Sequence, residues 1–171
     1  MHARSRWSLV VISLVALVTL AGWPPAVSGA GITADLDGRA IAPKQVGGYY
    51  CHDFEFPRIH CYLTEAELDM AVGAFNAGPL AAAVTGVTYV RVYADGGYLG
   101  TSAYLSQDYP DLGVIGWQDR ISSFKALNSQ NGRFHEHNAY LGFQYAFCCN
   151  TWVTYVGDAY NDKFSSVKNV T

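Results

Sequence analysis

Gln118-Asp119-Arg120-Ile121-Ser122-Ser123-Phe124-Lys125 recurs 43 positions later as Asn161-Asp162-Lys163-Phe164-Ser165-Ser166-Val167-Lys168. Tyr98-Leu99-Gly100 recurs 42 positions later as Tyr140-Leu141-Gly142. Two landmarks repeating at nearly one offset identify a single supersecondary unit used twice. Each copy gathers a carboxylate and two hydroxyls at one place, the main concentration of oxygen donors in the chain.

Outward from these landmarks the pattern is that of strands. Val90 and Val92 alternate with Tyr89, Arg91 and Tyr93, as in a half-buried strand. Ala94-Asp95-Gly96-Gly97 makes a turn, and a second strand runs through Thr101 to Leu105. Tyr109-Pro110 leads to Leu112, Val114 and Ile115, then to Ile121 through Leu127. After Asn131-Gly132 the second copy repeats the scheme over Arg133–Glu136, Gly142–Phe147, Trp152–Val156 and Phe164–Val170. Four short strands per copy, two copies and frequent turns predict a mainly β, two-sheet sandwich.

These residues resemble the βγ-crystallin superfamily in its secreted, bacterial-type branch. That family's first hairpin has an aromatic, four residues, an aromatic, one residue and a glycine. Tyr93 to Gly100 fits throughout, whereas the second copy has His135 where the first aromatic belongs, with Phe134 beside it as a substitute. The family's calcium motif is Asn/Asp, Asn/Asp, two variable residues, Ser/Thr, Ser. Asn161 to Ser166 fits at every position, and Gln118 to Ser123 departs only at Gln118. The likeness covers roughly Thr88 to Thr171.

The resemblance implies a βγ-crystallin-like sandwich of two Greek keys over 88–171 and a double-clamp Ca2+ site between them. Each motif would give a serine hydroxyl to one ion and an acidic side chain plus a carbonyl to the other. The implied ligands are Asp119, Ser122, Asn161, Asp162 and Ser165, with main-chain carbonyls at Arg120, Lys163, Ala94 and Glu136. Calcium is a hard cation that takes six to eight oxygens in a flexible shell, which suits this donor set. Two carboxylates over two ions imply moderate affinity, and Gln118 weakens the first half-site. The competing reading is that paired serines tie down a neighbouring hairpin and that the aspartates are ordinary turn residues. For Ser123 and Ser166 the tying role is the expected one. A second function on the same fold is a metalloprotease inhibitor or killer-toxin-like protein, its partner a secreted protease or another extracellular protein. Its instrument would be the Cys148-Cys149-Asn150 loop.

No esterase elbow, phosphate loop or dinucleotide fingerprint occurs, so an enzyme is not expected. Cys51-His52 and His60-Cys61 mirror each other and can ligate zinc, but a disulfide flanked by two bystander histidines is the favoured reading. His135-Glu136-His137 begins like a zinc-protease helix, yet Ala139 stands where the second histidine is required.

The first 30 residues read as a cleaved signal peptide. Arg4 and Arg6 precede an apolar run from Leu9 to Ala21, and Ser28-Gly29-Ala30 supplies small residues before a cut ahead of Gly31. The expected location is therefore extracellular, with no membrane span after signal removal. Without Arg4 and Arg6 the chain has nine basic and 14 acidic residues, a net charge of −5. Such a balance gives no footprint for nucleic acid or anionic membranes.

The stretch 31–87 reads as an N-terminal extension. Gly31–Gly48 has no clear period and is expected to be a mobile leader. Thr64-Glu65-Ala66-Glu67 forms a capping box, Leu68, Val72 and Phe75 fall at helical spacing, and Gly78-Pro79 ends the helix. Cys51 and Cys61, ten apart, are expected to pair. Cys148 and Cys149 are neighbours, and two cross-links between the pairs remain the alternative.

Overall fold

In the computed structural model the described residues are 31–78 and 89–170. The signal-peptide reading lies outside them, as does the Ala-rich stretch from Leu80 to Thr85 that the sequence offers as a connector after the helix. The capped helix forms as expected. It spans α1 (Glu65–Ala77), with Thr64 Oγ1 accepting from Glu67 N–H and Glu67 Oε2 accepting from Thr64 N–H. Gly78 caps the other end.

The strands are β1 (Thr33–Leu36), β2 (Arg39–Ile41), β3 (Tyr50–Glu55), β4 (Arg58–Tyr62), β5 (Tyr89–Asp95), β6 (Leu99–Leu105), β7 (Ser123–Leu127), β8 (Asn131–His137), β9 (Leu141–Phe147), β10 (Trp152–Val153) and β11 (Ser166–Val170). One sheet has eight strands in the order β10-β7-β5-β6-β3-β4-β1-β2, and the other has the order β11-β8-β9. The two repeats interlock. β10 of the second copy pairs with β7 of the first, and Tyr109 of the first copy exchanges both backbone hydrogen bonds with Val167 in β11 of the second. Each key thus completes the other's sheet, the arrangement of a two-Greek-key sandwich.

Between the sheets lies one apolar core. Phe134 stacks on Phe164 at 4.9 Å and meets Phe124 at 5.2 Å, so both keys share it. Trp117, Ile121, Val90, Val92 and Val167 are fully buried around them.

Two expectations are corrected. Gly31–Gly48 is not a mobile leader. β1 pairs in parallel with β4 and antiparallel with β2, and Pro43–Gly48 forms a 3-10 turn with Val46 buried. The turn docks on the first key at two glycines. A Cβ on Gly47 would stand 2.0 Å from the Gly116 carbonyl oxygen, and one on Gly116 would stand 2.2 Å from that of Lys44. The second correction concerns Leu112–Ile115, which forms a 3-10 turn rather than a strand. Asp111 accepts from Gly113 N–H at 2.7 Å and starts the turn. Leu112 and Ile115, three apart, both enter the core, and Gly116 at φ +73° ends it.

The extension also lengthens the main sheet, because β3 pairs in parallel with β6. Its helix lies across the sheet's outer face, where Leu68 and Val72 pack against Tyr89 and Tyr104. For that reason β5 is buried on both faces instead of one. Arg91 points to the helix side and would be costly there without partners. Its guanidinium donates to Glu65 at 2.7 Å, Asp69 at 3.0 Å, the Tyr104 hydroxyl at 3.0 Å and Ser102, and it lies over the Tyr93 and Tyr104 rings. Asp53 of β3 makes the complementary tie. Its carboxylate is fully buried and accepts from Ser106 N–H, Ser106 Oγ and Tyr109 OH at 2.7–2.9 Å. Burial pushes the Asp53 carboxyl up to about 6, while these hydrogen bonds pull it down.

Two outcomes follow from these ties. Glu65→Gln with Asp69→Asn leaves the Arg91 charge buried without an opposite charge, so urea melts should show a loss of about 3 kcal/mol. A loss within experimental error would mean that the helix docks by apolar contact alone. Asp53 tests the pH dependence. Its folded carboxyl holds a proton to higher pH than the unfolded one, ordinarily 3.8. Stability relative to Asp53→Asn should therefore fall as pH rises from about 4 to about 6, by at most about 3 kcal/mol. A flat or rising difference would show that the carboxylate is ionised throughout.

Candidate metal centre

The repeated motifs form two arches that face each other. Asp119 and Asp162 adopt left-handed backbone, φ +53° and +54°, which aspartate tolerates better than most residues. Each then donates its amide across to the opposite arch. Asp119 N–H reaches the Phe164 carbonyl at 2.9 Å, and Asp162 N–H reaches that of Ile121 at 3.4 Å. The side chains cross in the same way. Ser165 Oγ donates to Asp119 Oδ1 at 3.0 Å, and Ser122 Oγ lies 3.4 Å from Asp162 Oδ1. Ser122 Oγ also lies 2.8 Å from the Ala94 carbonyl oxygen. Residues 46 and 40 apart in sequence thus meet in two crossed carboxylate–hydroxyl pairs.

The motif's first residue steadies the second. Asn161 Nδ2 donates to Asp162 Oδ2 at 2.8 Å, and Gln118 Nε2 reaches Asp119 Oδ2 at 3.5 Å. Gln118 therefore repeats the contact at longer range. Asn161 Oδ1 is buried without a hydrogen-bond partner. Arg120 turns its side chain to the Gly116 carbonyl, and the Lys163 ammonium donates to the Ala159 carbonyl. Those cations are held by main-chain oxygens outside the crossed pairs. A hollow of about 280 Å3 opens at one half, lined by Asp119, Glu136, His137, Asp162, Lys163 and Ser165.

Ser123 and Ser166 have a different task. Ser123 Oγ donates to the Asp95 carbonyl at 2.6 Å and accepts from Tyr98 N–H at 3.1 Å. Ser166 Oγ donates to the His137 carbonyl at 2.7 Å and accepts from Tyr140 N–H at 3.1 Å. Both are fully buried and both fold a hairpin back over the sheet. Gly100 and Gly142, at φ +75° and +78°, close those hairpins, and a Cβ on Gly100 would strike the Asp95 carboxylate at 2.6 Å.

His135 itself occupies the place of the missing aromatic. It pairs with Ser166 as Tyr93 pairs with Ser123, and its ring meets Tyr140 at 5.6 Å as Tyr93 meets Tyr98 at 5.4 Å. Phe134 does not substitute, because it points into the core. Burial lowers the His135 pKa, with Arg133 and Lys168 adding to the effect, and neither ring nitrogen has a partner.

Cys51 and Cys61 are disulfide-bonded across β3 and β4. Cys148 and Cys149 carry free, exposed thiols, so the Cys148-Cys149-Asn150 turn has no cross-link of its own. Backbone bonds hold it instead, from Cys149 N–H to the Gln130 carbonyl and from Thr151 N–H to that of Cys148.

Two keys that exchange strands, each closed by an arch bearing an aspartate and two serines, define a βγ-crystallin-like domain. No family model matches the sequence, and no curated protein does. Solved structures do match. A double mutant of a βγ-crystallin domain from Clostridium beijerinckii is 28% identical, with a TM-score of 0.43 over 47% of this chain and 94% of its own. A βγ-crystallin from an archaeon is 26% identical, with a TM-score of 0.44 over 49% of this chain and 99% of its own. A clostrillin double mutant in complex with nickel is 24% identical, with a TM-score of 0.44 over 48% of this chain and 98% of its own.

The division of labour between the serines is testable. Ser123→Ala or Ser166→Ala strands a buried amide and a carbonyl and should lower stability by about 2 kcal/mol, equally with calcium and with chelator. A cost seen only with calcium would move these serines into an ion's shell.

Proposed function

We propose that this chain is an exported, non-enzymatic βγ-crystallin-type protein that binds two calcium ions between its arches and is stiffened by them. The observation that carries the reading is the crossed pairing of Asp119 with Ser165 and of Asp162 with Ser122. Hydrogen bonding alone does not need this arrangement, since Ser123 and Ser166 already secure the hairpins. The donors suit the ion. Carboxylate, hydroxyl and carbonyl oxygens are hard ligands, and calcium accepts an irregular shell completed by water. The orphaned Asn161 Oδ1 supplies a further oxygen beside Asp162. Asp119, Ser165 and Glu136 would hold one ion, and Asp162, Ser122 and the Ala94 carbonyl the other. The ions would neutralise carboxylates that folding brings together and clamp one key to the other.

Binding only to the folded form raises stability by about 2.7 kcal/mol at a hundredfold excess over Kd. For a domain of this size that is a rise of roughly 8 °C in melting temperature. Melting scans with calcium and with chelator, beside calorimetric titration, test the idea. Asp119→Ala and Asp162→Ala should each remove most of the rise. Superimposable melts and a flat titration would leave the arches as hydrogen-bonded turns.

A further inference from the structure

The two histidines beside the disulfide are more than bystanders. Cys51 faces Cys61 on the core side of the β3–β4 hairpin, which locks the strand register. The next pair, His52 facing His60, is therefore fixed on the outer face, with ring centroids 5.3 Å apart. A bulge between His52 and Glu55 brings Glu55 onto that face as well. His60 has a carboxylate beside each ring nitrogen. Its Nδ1 lies 3.1 Å from Asp35 Oδ2, and its Nε2 lies 3.2 Å from Glu55 Oε2. Asp35 is itself fixed by Arg58 at 2.9 Å and by Gly38 N–H at 3.0 Å. His52 is 4% exposed, and its Nδ1 has no partner. A hollow of about 360 Å3 opens over these groups, lined by His52, Glu55, His60 and Tyr62 of the hairpin and by Ala71 and Phe75 of α1.

We infer that His52, His60 and Glu55 bind a divalent transition cation of the zinc class, with Asp35 orienting His60 from behind. Imidazole and carboxylate are the donors such ions prefer. A carboxylate on the far nitrogen of a ligating histidine is the usual device for fixing its tautomer and ring angle. Here Asp35 Oδ2 stands 3.1 Å from Nδ1 on one side of the ring, and Nε2 faces Glu55 on the other. Tetrahedral zinc separates a nitrogen and an oxygen ligand by about 3.4 Å. The gap of 3.2 Å between His60 Nε2 and Glu55 Oε2 already matches that bite. Zinc binds the neutral imidazole, so a proton held between Nε2 and Glu55 would leave to solvent as the ion enters, and water would take the fourth position. Among the described residues no three such side chains stand already closed around one point. A turn of the Glu55 side chain, which is 48% exposed, and of the His52 ring within its contacts with Phe54 and Tyr62 would complete the shell. The site is separate from the arches and chemically distinct from them, since its nitrogen donors suit zinc and not calcium.

The test is calorimetry with zinc chloride in excess calcium, on protein carrying Cys148→Ser and Cys149→Ser so that free thiols do not compete. One zinc per chain is expected. Glu55→Gln should weaken binding at least tenfold, Asp35→Asn by roughly 10–100-fold, and His60→Ala should abolish it. Asp119→Ala should leave it unchanged, which separates this site from the calcium reading. Melting in chelator shows whether each variant is folded, and Glu55→Gln, a change at an exposed side chain, should melt like its parent. Zinc should raise the melting temperature of the parent and not that of His60→Ala. No binding by the parent, or equal binding by the parent and Glu55→Gln, would overturn the assignment.

Discussion

The fold depends on an exchange. Neither repeat closes a sheet of its own, because the third segment of each crosses to the other. β10 hydrogen-bonds to β7, and Tyr109 bonds to Val167 in β11. A crossing of this kind fixes the relative position of the two keys at backbone precision. It also sets the arches face to face, which is why Asp119 reaches Ser165 and Asp162 reaches Ser122 rather than the serine of its own motif. The shared aromatic core makes the exchange cooperative. Phe134 of the second key lies against Phe124 of the first at one side and Phe164 at the other. Each key is thus less stable alone, since part of the apolar surface it buries is covered by its twin.

The extension solves a second problem. A crystallin-like sandwich has two outer faces, and one of them here is built to be covered. Tyr89, Arg91, Tyr93 and Tyr104 present bulky, partly polar side chains that need both shelter and hydrogen bonds. α1 provides apolar cover through Leu68 and Val72 and charge through Glu65 and Asp69. Asp53 and the close approach of Gly47 to Gly116 then bind the extension at two further points. Three independent ties make this segment part of the domain's framework rather than an appendage.

How much of this was legible in the sequence varies with the physics of each element. The helix was, because its cap and its apolar spacing are local. The hairpins and arches were, because repetition exposes them twice. Leu112–Ile115 was not, since a short apolar run suits a core strand and a 3-10 turn equally. Asp111 before it and Gly116 after it are the local signals that favour the turn. Gly31–Gly48 was misread because its order comes from tertiary contact. β1 and β2 are three or four residues long and draw their stability from β4. The pairing of His52 with His60 was visible as a mirrored motif. The approach of Asp35 and Glu55 was hidden, since one arises from parallel pairing across the hairpin and the other from a bulge.

The arches also show why a motif mismatch can mislead. Gln118 departs from the pattern and suggested a weaker first half-site. Its contact to Asp119, at 3.5 Å, is indeed longer than that of Asn161 to Asp162. Yet the halves differ in a second way, at the hairpin rather than in the motif. The first hairpin places Ala94 at its half, which offers only a carbonyl. The second places Glu136 beside Asp119 and Ser165, which adds a carboxylate. Charge count governs calcium affinity more strongly than the steadying of one ligand by a neutral amide. On the proposed reading, the half containing Asp119 is therefore the stronger, because the crossed geometry combines the first motif's aspartate with the second hairpin's glutamate.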